Sequence, residues 1–184
     1  SNNSNNDEDN CSLVTFEHLG CPEDYDLLEN ECFWADDIVV LDAIKFNSQV
    51  GLLPPPQSMS STLMGHQVWE NGRLIEFCSS GQALAEIIEN QACISNYILS
   101  GSIPPSISNL DSLEALILPM NMLSDTLPNS ISQLLNLKRL YLASNDFTGS
   151  IPSDIGNLQK LEHLSLGVNK MNGRLPESLW DLSN

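Results

Sequence analysis

Over its C-terminal half the chain repeats one pattern of apolar and polar positions every 24 residues. Leucines fill three columns, Leu113/Leu137/Leu161, Leu116/Leu140/Leu164 and Leu118/Leu142/Leu166. In Leu116-Ile117-Leu118, Leu140-Tyr141-Leu142 and Leu164-Ser165-Leu166 they alternate with variable residues, the period-2 signature of a strand with one buried face. An Ile/Leu-Pro step recurs at Ile103-Pro104, Leu127-Pro128, Ile151-Pro152 and Leu175-Pro176. Together with the apolar spacing that follows, as in Ile151 to Leu158, it predicts a one-turn helix, which tolerates Pro at its start because no amide donor is needed there. Asn121, Asn145 and Asn169 follow the strands at a fixed offset. Their amides are suited to satisfy backbone groups that stacking buries. Units of 20 to 29 residues with this Leu-x-x-Leu-x-Leu-x-x-Asn pattern stack into a solenoid whose strands join in a parallel sheet.

The segments LYLASNDFTGSIPSDIGNLQKL and LSLGVNKMNGRLPESLWDL resemble the plant-type, extracellular class of leucine-rich repeat, with consensus LxxLxLxxNxLxGxIPxxIxxLxx. The resemblance covers about residues 89–184. It implies a leucine-rich repeat solenoid, an α/β repeat with a parallel β-sheet on its concave face and short 3-10 or helical turns on its convex face. The family includes receptor-like kinase ectodomains and polygalacturonase-inhibiting proteins. The function so implied is an extracellular protein or peptide recognition module, part of a longer cell-surface receptor or a secreted repeat protein. Two alternatives stand beside it, an inhibitor of a secreted enzyme such as a cell-wall hydrolase, and a structural or adhesive wall protein.

Two departures predict that the 113–136 repeat is the least regular. Asp125 replaces the glycine of the column Gly101/Gly149/Gly173, a position that suits a positive φ. Pro119 is expected to remove a ladder donor at the end of its strand. In the repeat before, Ala92, Ile94 and Leu99 hold the columns while Tyr97 replaces Asn, so four coils are expected with the first degenerate.

Residues 11–88 read as an irregular N-terminal cap, whose task is to cover the apolar end of the solenoid. Residues 36–49 form an amphipathic helix opened by acidic residues, with Ile38, Leu41, Ile44 and Val40 on its apolar side. A Pro/Ser linker follows near 53–62. The run Trp69 to Phe77 resembles the turn and first strand by which such caps enter the repeats, although the paired-cysteine motif around a Trp is missing. Residues 83–90 suit a helical insertion or part of the degenerate coil. The opening ten residues, SNNSNNDEDN, are polar and of low complexity and are expected to be a disordered tail.

The formal net charge of −17 is concentrated at one end. Residues 1–100 carry 16 acidic and 2 basic side chains, against 8 and 5 in the remainder. Such acidity argues against nucleic acid or an anionic membrane as partner. The five cysteines, Cys11, Cys21, Cys32, Cys78 and Cys93, all precede the regular repeats and show no zinc-ligand spacing. With extracellular repeats, disulfides fastening the cap are the better account. Connectivity is open; local pairing among the first three, with Cys78 to Cys93 as a second bridge, is the expectation and leaves one thiol over. Asn2 and Asn10 head glycosylation acceptor triplets.

No catalytic, cofactor or metal motif accompanies the three histidines, so the chain is expected to bind rather than catalyse. With Leu116 and Leu118 inward, residues 115, 117 and 119 face the concave sheet, as do their equivalents in later coils. The candidate ligand-binding residues are Ala115, Ile117, Arg139, Tyr141, His163 and Ser165. Arg139, Tyr141 and His163 are chemically the richest, since Tyr and Arg are favoured at hot spots and histidine brings a charge switchable near neutral pH. Four strands about 4.8 Å apart and about 17 Å long give roughly 300 Å² in plan. A standard protein interface needs about 800 Å² per partner. Together with the lack of a capping sequence after Leu161–Asn184, this area leads to the expectation of further coils in a longer ectodomain.

Overall fold

The computed structural model of the chain describes residues 25–28, 31–48, 55, 64–80, 93 and 97–182. The N-terminal tail, Cys11 and Cys21, the Cys32 side chain, both glycosylation triplets, most of the Pro/Ser linker and residues 83–90 lie outside the described residues. Two short strands, β1 (Tyr25–Leu28) and β2 (Glu31–Trp34), pair antiparallel and lead into helix α1, Ala35–Asn47. The helix buries Ile38, Val40, Leu41 and Ile44, the apolar face expected from the sequence, and adds Asp37. No described helix is long and apolar enough to cross a membrane.

Five strands form the main sheet, in the order β3-β4-β6-β8-β9: β3 His66–Glu70, β4 Arg73–Cys78, β6 Ala115–Ile117, β8 Arg139–Tyr141 and β9 His163–Ser165. β3 and β4 are an antiparallel hairpin turning at Asn71-Gly72, both at positive φ, 52° and 77°. That is the backbone a two-residue hairpin loop requires, and Asn-Gly supplies it with little strain. All later pairings are parallel. Beside this sheet a second, two-stranded ladder joins β5 (Ser100–Gly101) to β7 (Met122–Leu123). One-turn 3-10 helices at Pro105–Asn109, Asn129–Gln133, Ile155–Asn157 and Glu177–Asp181 close the coils. Between the two layers runs one continuous core from Val40 and Leu41 through the leucine columns to Leu161.

The first coil is built differently from the sequence expectation. The neighbour of β6 is β4, where Phe77 pairs with Leu116 across 39 residues rather than the 24 that separate Leu116 from Leu140, while Ala92 and Ile94 lie outside the described residues. The extra 15 residues equal the separation of Cys78 from Cys93, which are joined by a disulfide. Phase is regained by Leu99, whose N–H donates to Asn121 Oδ1 from 22 residues away, as Leu123 N–H does to Asn145 Oδ1. Fifteen residues are thus inserted into one coil, an excursion in sequence whose ends the disulfide joins, and the coil resumes its phase at Leu99.

The column of Gly101, Asp125, Gly149 and Gly173 has positive φ throughout, 64° at Asp125. At Gly101 a Cβ would stand 2.6 Å from the Asn47 carbonyl, so glycine is also needed for the end of α1 to dock on β5. Asn47 Nδ2 donates to the Ser102 carbonyl there, and Ser48 Oγ donates to the Ile44 carbonyl. Pro119 does not disturb its coil. Leu118 and Met120 donate to Tyr141 and Ala143, just as Leu142 and Ser144 donate to Ser165 and Gly167, and Pro119 falls between the donors.

Cap and solenoid are locked by a buried carboxylate. Asp37 accepts Arg73 Nε and Nη2, both at 3.1 Å, and the Leu74 N–H at 2.7 Å. Arg73 also reaches Asp111 at 2.7 Å and the Asn109 carbonyl, and stacks over Trp34 at 4.9 Å. Burial lifts the Asp37 carboxyl above its ordinary value, more than the Arg73 and Leu74 hydrogen bonds lower it.

Candidate functional site: the concave sheet

Residues pointing away from the core on β4, β6, β8 and β9 fall into two ladders, because parallel strands in register bring equivalent positions side by side. One runs Glu76, Ala115, Arg139, His163, and the other Cys78, Ile117, Tyr141, Ser165. The site residues expected from the sequence therefore share one surface, but they are not equally open. His163 is exposed, Arg139, Tyr141 and Ser165 are half-buried, and Ala115 and Ile117 are buried at 0% and 1% exposure. Ala115 and Ile117 are corrected accordingly: they are a floor that a ligand cannot reach.

Two contacts cover that floor. Arg139 Nη2 extends over the small Ala115 to Glu76 Oε2, at 2.7 Å. On the other ladder the Cys78–Cys93 bridge lies against Ala115 and Ile117 in a small apolar cluster of its own, with Tyr141 packed at its edge. The Tyr141 ring meets His163 on the far side, with centroids 6.1 Å apart and planes tilted by 39°. Beyond them the surface drops away, since Gly167 has nothing within 4 Å of where a Cβ would stand.

The rigidity behind these side chains comes from the asparagine column. Asn145 Oδ1 accepts the Leu123 N–H while its Nδ2 donates to the Leu118 and Leu142 carbonyls, so one side chain joins two coils. Asn169 repeats the arrangement with Phe147, Leu142 and Leu166. Asn121 does so with Leu99, Leu118 and, across the excursion, Ser79. Ion pairs at coil spacing add to it, with Lys138 Nζ on Glu114 at 2.7 Å.

Sequence reasoning gave the Cys78–Cys93 pairing but missed Glu76 and the register of Cys78 with Ile117. Glu76 lies outside the regular repeats, so no column pointed to it. The cysteines were assigned to the cap, and only the 15-residue phase shift puts Cys78 in register with Ile117 on the concave face. A separate shallow cavity of about 190 Å³ lies beside the last coil, lined by Ile151, Leu166 and Met171 among others, away from this face.

The leucine-rich repeat family model matches residues 136–158. The leucine-rich repeat ectodomain of the plant membrane receptor kinase GASSHO1/SCHENGEN3 from Arabidopsis thaliana, solved in complex with CASPARIAN STRIP INTEGRITY FACTOR 2, is similar over 80% of this chain at 26% identity and a TM-score of 0.64. The chain is similar in fold to plant leucine-rich repeat ectodomains. This repeat chain spans 17% of that ectodomain's length. It is also similar to the Arabidopsis receptor kinase HAESA, solved with the peptide hormone IDA and the co-receptor SERK1, at 33% identity and a TM-score of 0.50 over 61% of this chain and 16% of that one. A plant ice-binding protein is similar over 83% of the repeat chain and 46% of its own, at 25% identity and a TM-score of 0.62. No curated protein matches the sequence significantly.

Proposed function

We propose that the chain is an extracellular recognition module whose concave sheet binds a protein or peptide through Tyr141, His163, Ser165 and the free edge of Arg139. The observation that carries this reading is an aromatic and charged cluster held half-open on a sheet that the asparagine bonds make stiff. A rigid surface loses little conformational entropy on binding, which leaves more of the contact energy as affinity. Similarity to a receptor ectodomain crystallised with its ligand supports the same class of partner, and with it a place outside the cell.

The test is selection of a random-heptapeptide display library on the immobilised chain, followed by calorimetry on the enriched peptides. A recurring motif is expected, and Tyr141→Ala is expected to weaken its binding about tenfold or more, the range for an aromatic hot spot. Absence of any enriched motif, or equal affinity for wild type and Tyr141→Ala, would remove the proposal.

A further inference from the structure

We infer that Glu76 occupies on Arg139 the place of a ligand's carboxylate, and that the concave sheet takes a short extended peptide whose single Asp or Glu displaces Glu76 from the guanidinium. This inference rests on the recognition reading above and assigns the chemistry of its ligand: an acidic side chain for Arg139, two residues from the side chain laid on Tyr141.

The Glu76–Arg139 pair is unlike the other ion pairs of the solenoid. Lys138 meets Glu114 and Lys170 meets Asp146 one repeat away, so each of those pairs joins neighbouring coils. Arg139 instead passes over a whole rung, from β8 across Ala115 of β6 to Glu76 on β4. Two strand spacings are roughly 10 Å, so both side chains lie stretched along the sheet. Stacking does not call for that reach, since β4, β6 and β8 are already joined by their own backbone pairing.

The arginine end of the pair is open. The Arg139 side chain is 42% exposed, against 14% for Glu76. Among the described residues its guanidinium donates one hydrogen bond, from Nη2 to Glu76 Oε2. Arginine carries further N–H donors in a planar fork that matches a carboxylate, and those of Arg139 are unspent. An ion pair wetted on one side contributes little, and holding two long side chains in one geometry costs rotamer entropy. Exchange of Glu76 for a second carboxylate is therefore cheap, and one that engages two donors of the fork gains a geometry the single bond lacks. Until it is displaced, Glu76 cancels the charge of Arg139 and repels an arriving acid.

Tyr141 fixes where that acid sits in the ligand. It stands two residues from Arg139 on β8, and both lean toward β6, Arg139 across Ala115 and Tyr141 onto Ala115 and Ile117. Two residues of strand span about 6.6 Å, the spacing of side chains i and i+2 in an extended peptide. The formal net charge of −17 repels a polyacidic segment. A single acid in an otherwise neutral peptide reaches Arg139 within the about 8 Å over which charges act in physiological salt.

Heptapeptides enriched on wild type are measured by calorimetry against wild type, Glu76→Gln and Arg139→Gln. Each is measured beside a counterpart whose Asp or Glu is replaced by the amide, and each variant is first matched to wild type in circular dichroism and urea midpoint. The enriched motif is expected to hold one acidic residue. Glu76→Gln, isosteric and uncharged, is expected to bind the acidic peptide about fivefold to tenfold more tightly and the amide counterpart unchanged, while Arg139→Gln binds the two alike. A motif without an acid, an acid preference that survives in Arg139→Gln, or no gain in Glu76→Gln would overturn the inference and leave the recognition reading standing. So would an equal gain for both peptides, which is general relief of negative charge. If Glu76→Gln does not fold, Glu76→Asp replaces it, one methylene shorter across Ala115; a gain confined to the acidic peptide is again expected, and unchanged affinity overturns the inference. Failure of wild type to select any peptide would overturn both.

Discussion

Single asparagines carry a disproportionate part of the stability because each is bonded on three sides in the interior. Asn145→Ala leaves the Leu123 N–H without its side-chain partner and removes one of two asparagine donors from each of the Leu118 and Leu142 carbonyls, which keep Asn121 and Asn169. At about 1 to 3 kcal/mol for a buried donor left unsatisfied, a loss of about 2 kcal/mol is expected in urea unfolding. Asn169→Ala, made where the partners are only part-buried, should shift the midpoint clearly less. Asp37 is a second such residue, and its proton gives a signed prediction. Its folded pKa lies above the unfolded value because burial disfavours the charge. The folded chain therefore binds that proton more tightly, so the contribution is complete below the unfolded pKa and fades as pH rises through the raised one. Asp37→Asn is expected to cost about 3 kcal/mol at neutral pH by breaking a buried pair. The wild-type margin over it should widen on acidification; a margin that narrows toward acid would contradict the assignment of burial as the dominant influence on Asp37.

Among the elements, the excursion between β4 and β5 offers the sharpest test of the fold. Excising Ser79–Cys93 removes 15 residues and places Ile94 where the Asn121 amide now finds the Ser79 carbonyl. The shortened chain is expected to fold with its melting temperature within about 5 °C of wild type, and loss of its cooperative unfolding would show that the inserted residues are needed for the stacking. The sequence showed clearly why this should be so and also where it would mislead. Strands β6, β8 and β9, the 3-10 turns, the positive φ at Asp125 and helix α1 were legible, since each follows from a local period or a local steric demand. The partner of β6 was not. Ala92 matches the column by spacing alone, while Phe77 fills it with a larger buried side chain, and no local signal says which of the two segments wins. Pro119 was misjudged for a related reason, because which amides donate along a parallel ladder depends on the neighbouring strand. Of the site, Arg139, Tyr141 and His163 could be placed on the outward face from alternation, whereas the covering of Ala115 and Ile117 depends on a disulfide fifteen residues in span.

As a whole molecule the chain is a stack with unlike ends. At one end α1, the Asp37–Arg73 pair and the β3–β4 hairpin seal the core; at the other Leu175 and Trp180 are 57% and 76% exposed. In a stack held by nearest-neighbour contacts, stability follows the number of neighbours. Native-state hydrogen exchange should therefore show protection falling from the Leu116 and Leu140 amides to that of Leu166. Equal protection along the solenoid would show that it opens as one unit. The tied-off excursion has a bearing on ancestry as well as on binding. Both of its ends are held, by β4 and by the crosslink, so its length is invisible to the coils that follow. Substitutions in the leucine columns must satisfy neighbours above and below, but insertions and deletions at this one point need satisfy none. A lineage could therefore change the length and sequence of this insertion many times over while inheriting the scaffold unaltered.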